Sequence, residues 1–170
     1  GSVTLGASGP VLSSSIAARQ AAGGLVFDGT AGGTVSGVSA VLTNDYTFVA
    51  WVCPTAVTAQ QFVFCDTTTD FVPIYVVSGN WTYGDGSVGG TTLGTATAGK
   101  AVMIAVTRTS GTVQGWKDGL TLGASFSSVS TRSNAIVRVG SDASGTKVFN
   151  GTIQNAQIYN RALSAAEVVS

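Results

Sequence analysis

From Leu25 onward, apolar residues recur at every second position in short runs, and each run stops at Gly, Pro, Asn or Asp. Period two is the repeat of a β-strand, whose successive side chains leave opposite faces of the sheet. The runs return about every 8 to 12 residues, the interval of an all-β sandwich or barrel. They read LVFDGT, TFVAWVCP, QFVFCD, FVPIYVV, GNWTYGDG, KAVMIAVTRT, TVQGWKDGLTLG, AIVRVGSD and KVFNGTIQNAQIYN. No helix-period stretch of useful length interrupts them, and no internal repeat stands out. In TFVAWVCP, Phe48, Ala50 and Val52 point one way and Val49, Trp51 and Cys53 the other. Both faces are apolar, so this strand is expected at the centre of a sandwich, with Trp51 in the core, and Pro54 ends it. Asp118-Gly119 is a hairpin signal, because Gly119 is free to take a positive φ.

The chain has 170 residues, enough for one domain with a sizeable core. Only 9% of residues are charged, yet 44% are hydrophobic, which excludes disorder and leaves a surface covered by hydroxyls. Eight Lys and Arg against eight Asp and Glu, with no basic cluster, argue against nucleic acid and against an anionic membrane surface. No apolar run approaches the roughly 18 residues of a membrane-inserted helix. There is no His, which removes the commonest general base and zinc ligand together. Residues 1–24 are rich in Gly, Ala and Ser and read as an N-terminal arm; Gly1-Ser2 reads as an expression scar, and residues 25–170 as the domain.

The chain finishes FNGTIQNAQIYNRALSAAEVV. Phe149, Ile153 and Ile158 give a last strand with one buried face, and Asn160-Arg161 turns the chain. Ser164 stands three residues before Glu167, a capping-box pattern that starts one helical turn and sets Leu163 or Val168 against the sandwich.

LVFDGT, TFVAWVCP, AVMIAVTRTSGTVQGWKDGLTLG, VRVGSD and FNGTIQNAQIYNRALSAAEV, in that order, resemble the laminin-G-like branch of the concanavalin A-like lectin and glucanase superfamily over residues 25 to 168. The resemblance implies a two-sheet antiparallel jelly-roll β-sandwich with a curved inner sheet. It also implies a sugar-binding or adhesion module of the kind appended to secreted enzymes, surface proteins and bacteriophage structural proteins. Many relatives hold a structural calcium through acids after the FDG turn and an Asp-Glu pair in the last strand. Here Thr30 to Gly33 follow Asp28-Gly29, and Gln154-Asn155 replaces the pair. Asp28 alone remains as a calcium ligand, and a turn residue beside Gly29 is the preferred reading.

Glucanase chemistry needs two carboxylates flanking a scissile bond. No two of the eight acids share a strand at a spacing of two, and without His a serine triad in its common form is excluded. GDGSVGG reads as a hairpin loop, not a phosphate cradle. The binding candidates are aromatic, because Trp and Tyr rings stack on the C–H faces of sugars while amides and carboxylates bond the hydroxyls. In NWTYGDG, Trp81, Tyr83 and Asp85 share a face, with Asn80 adjacent; Trp116, with Gln114 and Asp118, is a second candidate. Coverage of the core edge by Trp81 and Tyr83 is the alternative. Cys53 and Cys65, taken to end adjacent strands, are either a cross-strand disulfide or two buried thiols. The expected function is non-catalytic recognition of a glycan or surface polysaccharide, at an extracellular, cell-surface or virion surface. A structural or decorating domain of a virion or surface assembly, its arm docked on a neighbouring subunit, is the second reading. A glycan-cleaving enzyme is the third.

Overall fold

The computed structural model describes residues 2–5, 19–21, 24–30, 35–40, 45–66, 74–84, 90–121, 123–128 and 135–168. Among these are fifteen strands and one short helix. In chain order the strands are β1 (Ser2–Leu5), β2 (Arg19–Ala21), β3 (Gly24–Asp28), β4 (Val35–Ala40), β5 (Tyr46–Pro54), β6 (Gln61–Asp66), β7 (Ile74–Val77) and β8 (Asn80–Tyr83). They continue with β9 (Thr91–Thr95), β10 (Val102–Thr109), β11 (Thr112–Lys117), β12 (Leu120–Thr121), β13 (Phe126–Ser127), β14 (Ala135–Val139) and β15 (Asn150–Tyr159), and α1 is Ala165–Val168.

The strands form two antiparallel sheets, as expected of the jelly-roll sandwich. The larger, of nine strands, runs β12-β11-β10-β5-β15-β3-β2, with β1 also on β15 and β13 on β11. The smaller runs β4-β14-β6-β7-β8-β9. Between them lies one apolar cluster that includes Phe27, Phe48, Phe64, Ile74, Val76, Ile104, Val106 and Ile153. These come from the inward positions of alternating strands, and burying a side chain of this size contributes about 1.5–3 kcal/mol.

β5 is central, between β10 and β15, and its alternation is as the sequence predicts. Tyr46, Phe48, Ala50 and Val52 are buried inside the sandwich. Thr47, Val49 and Trp51 therefore face out of the larger sheet. Trp51 is not core: it is 46% exposed, because the C-terminal segment covers the outer face nearer Thr47 and stops short of it.

Residues 2–5 and 19–21, expected as an arm outside the domain, instead extend the larger sheet. Ser2–Leu5 pair with Tyr159 to Ala156, and Arg19–Ala21 pair with Val26 to Gly24. Backbone groups make these ladders, so a Gly-, Ala- and Ser-rich segment joins without an apolar period to announce it. Cys53 and Cys65 are free thiols, Cys53 half-buried and Cys65 buried. β5 and β6 follow one another in sequence but lie in opposite sheets, which removes the cross-strand disulfide.

Candidate functional site

The outer face of the larger sheet is built row by row from antiparallel register. Trp51 lies between Met103 on β10 and Gln154 on β15; Val49 lies between Ala105 and Gln157; Thr47 lies between Thr107 and Tyr159. The Thr47 row is sealed by the C-terminal exit. The Thr47 hydroxyl donates to the Arg161 carbonyl at 2.9 Å and accepts from the Leu163 N–H at 2.9 Å. Leu163 and Val168 then pack on Met103 and Ala105 as a second, smaller apolar cluster, against which Val49, Trp116 and Tyr159 lean.

The expected capping box forms. The Glu167 carboxylate accepts from the Ser164 N–H and hydroxyl, both at 2.9 Å, and the Glu167 N–H reaches the Ser164 hydroxyl at 3.4 Å. Arg161 closes on the same carboxylate with two bonds, at 2.7 and 3.1 Å. Chiefly through the Arg161 guanidinium, and then through Ser164, the Glu167 carboxyl is lowered to about 2.

Beside this cap a groove of about 330 Å³ runs along the sheet. Val49 and Met103 line its apolar part, and Trp51 stands at one side. Asn155, Gln157 and Tyr159 line the opposite strand, and Leu163, Glu167 and Val168 form the end wall. The amides reach the groove because β15 carries a bulge. Gln154 faces Trp51 while Gln157 faces Val49, so three residues on β15 span two on β5. Asn155, at the bulge, takes a left-handed backbone (φ 47°), which Asn tolerates better than most residues. It also marks the joint at which β15 exchanges β3 for β1 as its outer neighbour. Tyr159 donates its hydroxyl to the Gln157 amide oxygen at 2.5 Å, which orients that amide. An exposed indole beside two amides, that of Gln157 oriented by the Tyr159 phenol, can stack on one apolar ring face while the amides bond to hydroxyls at its edge.

The aromatic patch read from NWTYGDG lies elsewhere. Trp81 and Tyr83 do share a face of β8, but it is the inner one: they are 1% and 0% exposed. Register decides this, since Trp81 pairs with buried Val76 and Tyr83 with buried Ile74. Tyr83 fills the space over Gly115, where an added Cβ would lie 2.6 Å from its ring. Its hydroxyl donates to the Ala124 carbonyl at 2.7 Å, and its ring stacks on Phe126. Neither ring offers a face to a ligand. Asn80 is half-buried and donates to the Ser78 carbonyl at 3.1 Å in the β7–β8 turn. Asp85 lies outside the described residues. Trp116 is half-buried on the same outer face as Trp51, its indole N–H donating to Thr107 at 2.9 Å, and it supports the small apolar cluster rather than lining the groove.

Asp28 is exposed and closes the turn after β3, one carboxylate oxygen accepting from the Thr30 N–H at 2.9 Å and its hydroxyl at 2.6 Å. Among the described residues no three His, Cys, Asp or Glu gather as metal ligands, and the Asp28 carboxylate is engaged as a turn residue. Three other carboxylates also tie backbone. Asp45 accepts from the Ser110 N–H, Asp118 from the Met103 N–H, and Asp142 from the N–H groups of Thr146 and Lys147.

A family model described as the concanavalin A-like lectin/glucanases superfamily matches residues 27–169. No curated protein is similar in sequence. Among solved structures, the fold is similar to a Trypanosoma rangeli sialidase in complex with the inhibitor DANA, at a TM-score of 0.69 and 17% identity. That match covers 89% of this chain but 27% of the sialidase, so this chain spans about a quarter of the sialidase's length. Domain 4 of AbnA, a GH43 extracellular arabinanase from Geobacillus stearothermophilus in complex with arabinotriose, is similar at 0.64 and 18% identity, over 99% of this chain and 86% of that one. A heptameric SAP-like pentraxin from Limulus polyphemus is similar at 0.64 and 13% identity, over 85% and 78%. At these identities the likeness is one of fold.

Proposed function

This chain belongs to the concanavalin A-like lectin/glucanase superfamily, and from that premise we propose that it is a non-catalytic carbohydrate-binding module whose ligand lies in the groove beside Trp51. The observation that carries this reading is the 46% exposed indole facing Asn155, Gln157 and Tyr159 across an apolar floor. A sugar stacks its C–H face on Trp51 and bonds its hydroxyls to the two amides and the phenol. A single shallow site of this kind binds weakly, and repetition on a surface supplies avidity. The module works at an extracellular, cell or virion surface. The carboxylates of Asp28, Asp45, Asp118, Asp142 and Glu167 support a non-catalytic role, because these five are engaged in a turn, cap or loop.

The arabinotriose complex of the structurally similar arabinanase domain makes that trisaccharide a first probe. Titration on a glycan array and by tryptophan fluorescence should show binding that Trp51→Ala weakens at least about tenfold. Trp81→Phe, a change inside the core, should leave binding in place. Silence across the array together with a stable oligomer in light scattering replaces this reading with a structural role in a surface or virion assembly. Turnover of any polysaccharide replaces it with an enzyme.

A further inference from the structure

We propose that the groove selects uncharged saccharides and rejects acidic ones, with the Glu167 carboxylate as the excluding group and the Asn155 bulge as the reading group. The inference rests on the carbohydrate-binding reading above and adds the class of sugar. The polar lining consists of two neutral amides, one phenol and one carboxylate, and no Lys or Arg is among the described lining residues. Arg161 is turned onto Glu167 from outside that lining and bonds its carboxylate at 2.7 and 3.1 Å. A sialic or uronic acid in this space would meet the carboxylate end of the Arg161–Glu167 pair, with no cation among the described lining residues to receive it, whereas a neutral polyol meets hydrogen-bonding groups alone. Glu167 is ionised at every ordinary pH, so the discrimination does not relax on mild acidification.

The bulge supplies the attractive half. Asn155 is exposed, in a left-handed conformation, at the one joint of β15 where two ladders exchange. A backbone held there by the sheet delivers an amide to the groove that an unbulged strand would not.

The test uses matched pairs differing in charge: lactose with 3′-sialyllactose, xylotriose with a glucuronic-acid-bearing xylotriose, and methyl-esterified with free trigalacturonic acid. The full chain is titrated with each by calorimetry. In at least one pair the neutral member should bind, and its acidic partner should bind roughly tenfold more weakly at low salt. Glu167→Gln keeps the capping box, because Gln serves at that position, and should shrink the gap to within about threefold. Asn155→Gly keeps the left-handed backbone and removes the amide; it should hold the melting temperature and weaken the neutral sugar about tenfold. Acidic members that bind as tightly as neutral ones, with both lost in Trp51→Ala, overturn the selection and leave the carbohydrate reading intact. Absence of binding by every member overturns both.

Discussion

Single residues set the firmest local constraints in this molecule, and Asp142 is the clearest. It sits buried in the loop between β14 and β15 and collects four bonds, from the N–H groups of Thr146 and Lys147 at 2.6 and 2.9 Å and from the hydroxyls of Ser144 and Thr146 at 2.6 and 2.9 Å. Burial alone would raise its pKa, but the bonds from Lys147, Ser144 and Thr146 together outweigh it and hold the carboxyl at about 2, below the ordinary 3.8. A carboxyl depressed in the folded state stabilises the fold above its ordinary pKa, and that contribution fades as the pH falls from about 4 towards about 2. Asp142→Ala should therefore cost about 3 kcal/mol at pH 7, and the cost should shrink as the pH is lowered through that window. Urea titrations of both proteins from pH 7 to pH 2.5 check this, and parallel stability curves would refute it. Nothing in the run VRVGSD announces the role: an Asp after Gly-Ser reads as a turn residue, and only the returning hydroxyls of Ser144 and Thr146 make it a hub. Trp51 shows the converse. In its strand both alternating faces are apolar, so pattern alone could not tell a covered face from an open one.

At the level of elements, strand existence was legible and strand orientation was not. Period two identified β5, β10, β11 and β15, and Ser164 with Glu167 identified α1, because those signals are local in the chain. Which face of β8 turns inward depends on Ile74 and Val76 in a different segment, so the face shared by Trp81 and Tyr83 is legible in NWTYGDG while the choice between a sugar platform and core coverage is not. The bulge at Asn155 was equally hidden, although the replacement of an Asp-Glu pair by Gln154-Asn155 pointed to that stretch. The exit turn after β15 depends on Thr47, which is fully buried and bonds both Arg161 and Leu163. Thr47→Val keeps the shape and removes both bonds, leaving a buried N–H without its acceptor. It should cost about 2–4 kcal/mol and loosen the end wall of the groove. Hydrogen exchange should then be faster at Leu163 and unchanged at Val106, whereas equal acceleration at both would mean that the exit is not a separate latch.

For the whole molecule, the order in which the sheet closes matters more than any one contact. β15 is the last strand, yet it lies inside the larger sheet. One side pairs with β5 from Pro54 to Thr47; the other pairs with β3 through Asn150–Gln154 and with β1 through Ala156–Tyr159. Without it β5 becomes an edge, β3 and β1 lose their attachment to β5 through it, and Ile153 and Ile158 leave the core. Two buried Ile side chains are worth about 1.5–3 kcal/mol each before any ladder bond is counted. With three strand pairings added, the loss exceeds the roughly 5–15 kcal/mol by which a domain is stable. Residues 1–149 alone should therefore show no cooperative urea transition and a collapsed amide spectrum. Residues 24–170 lose β1 and β2, and with them the ladders on β15 and β3, while Phe27 and the rest of the described core cluster are kept. That chain should still unfold cooperatively, less stable by roughly 2–5 kcal/mol for the lost ladder bonds. A folded 1–149, or an unfolded 24–170, would show that the sheet is organised from its N-terminal edge rather than through its last strand. The groove sits on that same last strand, so a chain that cannot seat β15 cannot present Asn155 and Gln157 to a ligand either. Binding and cooperative folding should thus fail together at this end and separate at the other.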